Sequence, residues 1–348
     1  MAPFSKIIVS RLSLLAAVSA LCCSAGQHPA PAETAASEPA PLPEVTLLAV
    51  GDVNLARQCG QALLTEGAHY PFGHLRGWIE SYDLAFCNLE SNISEQNGET
   101  VDPGNRLIFT APPIAAAALK QSGWDFVATA NNHCADYGIS ALKETIGHLE
   151  AAGLPFSGTA LDPTRLYAPV YLNAKGVTIA FLAVTDVTNY PSLETRLRDY
   201  LNMADRERLL PALQEAALKA DVTILSYHGG TEYSDEPTAA TRDFAHWAVD
   251  NGVDLFIGHH PHVPQGIEWR GRALILYSLG NFTFYQLGNP VWTDYGLAAS
   301  VVLTRDGISY AKLIPIRAYF RARPITDAAS RRAVLARVAS LSERLAAK

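Results

Sequence analysis

The strongest constraint on this chain is a recurring pair of patterns. A short apolar run stops abruptly at polar residues, and a longer segment of helical periodicity follows. The apolar runs lie at 45–50, 84–87, 125–130, 177–184, 221–227, 253–257 and 272–277. Helix-like segments lie at 112–122, 138–152, 204–220 and 237–251. Uninterrupted apolar runs suit strands buried on both faces, and their alternation with helices indicates an α/β fold. Residues 266–317 hold strand-like runs and the turn Arg305-Asp306-Gly307 but no long helix, so part of the sheet there is expected to be antiparallel. An Ala- and Arg-rich stretch at 325–347 reads as a closing helix.

The N-terminus reads as a leader rather than as part of the fold. Lys6 and Arg11 precede an uncharged run from Leu12 to Leu21, and small residues follow to Gly26. The run is shorter than the about 20 apolar residues of a membrane-spanning helix. Two processing routes fit residues 1–25: cleavage after Ala25, or cleavage before Cys22 or Cys23 with lipid on the new N-terminus. Residues 26–44 are Pro/Ala-rich, and such a spacer favours a body held off a membrane. The expected product is exported, either periplasmic or membrane-tethered as a lipoprotein. The expected divisions are a body at 45–318 and a C-terminal helix within 319–348. Loss of Lys6 and Arg11 takes the formal charge of -7 to -9. A net acidic body without a basic run is not expected to bind nucleic acid, which requires Lys and Arg against phosphates. Cys59, Cys87 and Cys134 remain in the body. An odd number favours buried free thiols over a disulfide scaffold.

The uncommon polar residues fall within a few positions of expected strand ends: Asp52, Glu90, Asn132, His133, His228, His260 and His262. In open α/β sheets ligands bind beyond the carboxyl ends of the strands, so the topology would gather these groups in one crevice. Singly, Asp52 is an ordinary turn or cap residue and Glu90 an ordinary capping carboxylate. The pair His260 and His262 around Pro261 weighs more, because proline fixes the backbone between two imidazoles. Two carboxylates, an amide oxygen and three imidazoles form a mixed N/O ligand set. That set suits borderline divalent ions such as Zn, Mn, Fe or Co rather than an all-oxygen calcium cage. His259 either points away from the crevice or supports a ligand from behind. Glu232, after the His228 turn, is a candidate to take a ligating imidazole's second proton. Asn281 is a candidate substrate donor, and Arg57 a candidate cation for a carboxylate or phosphate.

The blocks LLAVGDVNLAR (47–57), CNLESNIS (87–94), RLIFTAPP (106–113) and GWDFVATANNHCADYG (123–138) fall in one order with SYHGGTEY (226–233), DLFIGHHPHVPQGIE (254–268) and ILYSLGNFTF (275–284). Over about residues 45–290 this set resembles the CapA-type, poly-γ-glutamate capsule-biosynthesis family, whose domain looks like a divergent calcineurin-type metallophosphatase. The resemblance implies a four-layer α/β/β/α metallophosphatase-like sandwich with mixed sheets. It also implies an envelope location, an anionic surface polymer or a peptide or phosphoester as substrate, and membrane-associated synthesis machinery as partner. By position it implies one or two ions of Mn, Zn or Fe, with Asp52, Glu90, Asn132, His228, His260 and His262 as ligands. His133 would be the acid, oriented by Asp136. The sequence departs from the phosphatase pattern at Asn54, where His is usual, and at Glu90, where the bridging residue is usually Asp. Asn54 is thereby a weaker ligand or a substrate contact. Two functions follow: a metal-dependent hydrolase-like protein, or a non-catalytic scaffold that binds the polymer during export.

Overall fold

A computed structural model describes residues 42–286 and 291–347. The leader and nearly all of the spacer lie outside the described residues. The strands are β1 (Val45–Val53), β2 (Leu84–Leu89), β3 (Asn92–Ile93), β4 (Thr110–Ala111), β5 (Phe126–Ala128), β6 (Phe156–Ser157), β7 (Val170–Ala174), β8 (Val177–Thr185), β9 (Val222–His228), β10 (Leu255–His259), β11 (Ile267–Arg270), β12 (Ala273–Leu276), β13 (Tyr295–Thr304), β14 (Gly307–Arg317) and β15 (Arg323–Pro324). The helices are α1 (Arg57–Glu66), α2 (Arg76–Ile79), α3 (Ile114–Gln121), α4 (Gly138–Ala151), α5 (Glu194–Leu197), α6 (Arg206–Lys219), α7 (Ala239–Asp250) and α8 (Ala328–Ala346). The four expected internal helices thus fall within about two residues of α3, α4, α6 and α7, whereas α1 had no expected counterpart.

Two mixed sheets face each other. One has the order β15-β14-β13-β1-β2-β5-β6 and the other β11-β12-β10-β9-β8-β7. In each, the central strands run parallel; antiparallel strands close both flanks of the six-stranded sheet and one flank of the seven-stranded sheet, through the β13–β14 hairpin, while β6 adds in parallel at the other. Strand parity divides the core. Leu47, Ala49, Phe86 and Phe126 meet Ile179, Phe181, Ile224, Leu255 and Ile257 between the sheets. Leu48, Val50, Ala85, Cys87 and Val127 face outward onto α1 and α3. Leu182, Leu225 and Phe256 face outward onto α6 and α7. The four expected layers are present. Helix α8 sends Val334 and Val338 into the inter-sheet core, so the final segment is packed into the same body.

The helix starts carry ordinary capping chemistry. Asp205, Thr238 and Asp327 accept backbone N–H groups at the first turns of α6, α7 and α8. The three cysteines are free and buried, as expected, and burial pushes the Cys59 and Cys134 thiols up to about 12.

Candidate metal centre

The carboxyl ends of β1, β2, β9 and β10 converge, and parity explains which side chains meet there. Successive strand residues point to opposite faces. Asn88 therefore follows Phe86 toward the gap between the sheets, His228 follows Ile224, and His259 follows Ile257. Asp52 breaks that rule, because even-numbered Leu48 and Val50 face the helices. A bulge re-aims it. Ala49 pairs with Phe86 and Asp52 with Asn88, so β1 carries an extra residue over that interval. Gly51 sits in the bulge, where a Cβ would lie 1.8 Å from the Gly280 carbonyl oxygen. The close approach lets the Asp52 N–H donate to that oxygen at 3.0 Å.

Asp52 is wholly buried and receives four groups. Asn88 Nδ2 donates to Oδ1 at 2.9 Å, and His259 Nδ1 lies 3.0 Å from the same oxygen. The His260 backbone N–H and His262 Nδ1 reach Oδ2 at 3.3 and 3.4 Å. Burial acts to raise its pKa, but the hydrogen bonds and charges of His259 and His262 outweigh burial and hold the carboxyl well below the usual range.

Glu90 is the opposite case. It is also wholly buried, yet neither carboxylate oxygen has a hydrogen-bond partner. His262 Nε2, His228 Nε2 and His133 Nε2 stand 3.6, 3.9 and 4.0 Å from its Oε1. Burial first, and the Asp52 charge second, push this carboxyl well above its ordinary range. Asp52, Glu90 and His262 each offer a ligand atom within 4.8 Å of one another.

The imidazoles are individually oriented. The amide of Asn88 also donates to His228 Nδ1 at 3.2 Å, so the ring proton of His228 lies on Nε2 and reaches Asn132 Oδ1 at 2.8 Å. Burial, then the neighbouring His260, hold His228 well below the usual imidazole range. His262 Nδ1 donates to Asn281 Oδ1 at 2.9 Å, which leaves the Nε2 lone pair facing Glu90. His260 stands 4.9 Å from the His228 ring, with Nδ1 buried and unpartnered. Burial lowers His260 to about 4. His260 and His262 have φ of 93° and 58°, left-handed values unusual for residues with side chains, on either side of Pro261. His133 Nδ1 lies 2.9 Å from Asp136 Oδ2, and its ring stacks 4.2 Å from Phe109. Asp136 in turn accepts the Phe109 N–H and the Tyr190 hydroxyl, each at 2.9 Å.

Three expected contacts are placed otherwise. Glu232 is exposed and hydrogen-bonds Tyr233; it does not take the second proton of His228, whose Nδ1 meets Asn88. Asn281 is wholly buried, with Nδ2 donating to Gln286 and to the Thr293 carbonyl, so it orients His262 and has no free donor for substrate. Asn54 is buried; its Oδ1 accepts the Ala56 N–H at 2.8 Å at the start of α1, so that oxygen is engaged, while its Nδ2 is buried without a partner. Asn88 and Tyr190 were missed, and of the two alternatives left open for His259 the structure places its Nδ1 against Asp52. Strand parity after Phe86 and Ile257 carried the signal for Asn88 and His259.

Residues 46–286 match the family described as Bacterial capsule synthesis protein PGA_cap. The chain belongs to that family. Within it, this member is 30% identical over 271 residues to the PGA biosynthesis protein CapA of Bacillus subtilis (strain 168), covering 77% of this chain and 70% of that one. It is 28% identical over 293 residues to the Capsule biosynthesis protein CapA of Bacillus anthracis, covering 82% of this chain and 70% of the other. Among solved structures, a 5'-nucleotidase from Candida albicans SC5314 is similar at 12% identity and a TM-score of 0.45, over 87% of this chain and 59% of that one.

The donor set fits a cation on its own chemistry. A buried carboxylate with two unpartnered oxygens, facing an imidazole lone pair and a second carboxylate, is costly unless a positive charge or a proton lies among them. His228 Nε2 and Asn132 Oδ1 stand 2.8 Å apart across the ring proton, which would have to leave Nε2 before both atoms could hold one ion.

Proposed function

We propose that this family member is an exported, metal-dependent hydrolase of capsule or surface-polymer synthesis. The observation that carries the reading is Glu90, fully buried and unpartnered among His262, His228 and Asp52. Asp52, Glu90 and His262 would hold a divalent ion of the Mn, Zn or Fe class, with Asn132, His228 and His260 completing one or two sites. When bound, such an ion lowers the pKa of water and polarises an ester or amide centre. His133 serves as the acid. Asp136 fixes its Nδ1 side, so Nε2 is the atom that protonates a leaving group. Phe109 walls that imidazole, and Tyr190 holds Asp136 in place. The leader at 1–25 and spacer at 26–44 would deliver the body at 45–318 to the envelope, periplasmic or lipid-tethered, beside membrane-associated synthesis machinery and an anionic polymer. No helix among the described residues is long and apolar enough to cross a membrane.

A second reading, a scaffold that binds the polymer without turnover, draws support from Asn54. Its oxygen is already engaged where the phosphatase pattern has a ligand. Metal analysis of the purified full chain and of Glu90→Ala, with turnover of phosphoesters and γ-glutamyl peptides before and after chelation, separates the two. The hydrolase reading expects bound metal that Glu90→Ala loses and turnover that chelation abolishes. Polymer binding without turnover would select the scaffold, and turnover surviving exhaustive chelation would sink the metal-dependent reading.

A further inference from the structure

The loop between β8 and α5, residues 186–193, carried no expected role, yet it reaches three residues of the crevice. Its base is tied to the end of β9. The Asp186 N–H and the Thr185 hydroxyl both donate to the His228 carbonyl, at 3.1 and 3.0 Å. Its far side crosses to the residues that follow β5 in the other sheet. Asn132 Nδ2 donates to Asn189 Oδ1 at 3.2 Å. Asn189 Nδ2 stands 3.5 Å from His133 Nδ1, and the next residue, Tyr190, donates to Asp136 Oδ1 at 2.9 Å. Phe109, itself under the Arg57 guanidinium at 4.3 Å, walls the face of the same imidazole. Asn189 is exposed and Asn132 is buried, so their contact lies where the loop closes onto the crevice.

A carboxamide carries an oxygen and an NH2 group of nearly equal size, and its partners alone decide which end faces a site. A cation is held by the oxygen end, so the orientation of Asn132 matters. Two groups fix it. His228 Nε2 donates to Oδ1, but that nitrogen is itself a proposed ligand and gives up its proton when it holds an ion. Asn189 Oδ1 is the partner that remains, because it accepts from the opposite end of the amide. We propose that Asn189 is a positioning residue that holds the Asn132 amide with its oxygen toward the crevice, and so sets how strongly the site holds a divalent ion. The proposal rests on reading Asn132 as a ligand in the metal-dependent site.

Two measurements on the full chain test it. The first is titration with Mn alone and with Zn alone, in competition with a chelator. Asn189→Leu keeps the bulk and loses the acceptor, and should bind about 10–100-fold more weakly than the unmodified protein. Because Asn189 is exposed, the urea midpoint of the metal-free variant should not move. Asn189→Asp keeps an acceptor and should restore most of the affinity. The second measurement needs neither metal nor variant. In the metal-free protein the side-chain amide protons of Asn132 should show a nuclear Overhauser contact with the Asn189 β-protons rather than with the His228 ring. Unchanged affinity in Asn189→Leu overturns the proposal, as does a contact to the His228 ring instead. So does an affinity in Asn189→Asp as low as that of Asn189→Leu. A gain in Asn189→Asp without the Asn132 contact would mean that charge alone acts, and overturns it too. If the unmodified protein held no metal while Asn132 still met Asn189, the metal-dependent reading would fail and the orientation would stand.

Discussion

Two adjoining zones of the same strands obey opposite rules. Between the sheets, Phe86, Phe126 and Phe181 stack, with Phe126 and Phe181 centred 4.4 Å apart, and apolar burial satisfies every neighbour. At and just beyond the ends of β2 and β10, Asn88, Glu90, His259 and His260 each leave a buried polar atom without a partner. The first zone gains stability from burial and the second gives some of it up. The packed zone fixes the strand ends so firmly that a destabilised crevice can be held at their tips.

Three measurements bear on that contrast. Phe181→Ala should produce the largest change, a loss of about 3–5 kcal/mol in urea unfolding, as expected for deleting a buried aromatic. A loss under about 1 kcal/mol would mean the interface is not the rigid base described. Asn281→Ala should leave that interface intact and weaken metal affinity about 10–100-fold, measured by competition with a chelator, because His262 loses the acceptor that sets its tautomer. Unchanged affinity would separate Asn281 from the centre.

Glu90→Gln gives the smallest and most diagnostic effect, a gain of about 1–2 kcal/mol in the metal-free protein at neutral pH. The sign follows from the direction of the shift. Burial and the Asp52 charge raise the folded Glu90 carboxyl, so its contribution is complete below the unfolded value near about 4.3 and is lost as pH rises through the folded value. Removing that carboxyl helps at neutral pH and stops helping in acid. His260 runs the other way. Lowered by burial to about 4, it contributes fully above about 6.5 and loses that contribution as pH falls toward its folded value. Unfolding free energies of Glu90→Gln should therefore rise steadily with pH from about 4 to 6.5. A flat profile would contradict the burial assigned to His260.

Much of this was readable from residue order. Apolar runs of strand length, each stopping at polar groups, specified an α/β fold and placed Asp52, Glu90, Asn132, His228, His260 and His262 at strand ends. That signal is local, since periodicity and turn chemistry act over a few residues. Direction was harder. Even parity would have sent Asp52 to the helix side with Leu48 and Val50, and only the bulge at Gly51 against Gly280 turns it inward. Asn281 looked available because a sequence does not show that Gln286, Thr293 and His262 already occupy its amide.

The sequence alone determined the layer pattern, the strand-end address of the polar groups and the family. Tertiary structure decided which atoms face one another: which carboxylate is sheltered by hydrogen bonds, which is left bare, and which nitrogen of each imidazole is free. The reason is physical. Apolar periodicity is a property of neighbouring residues, whereas the protonation and pairing of a buried group depend on atoms that folding brings from distant parts of the chain.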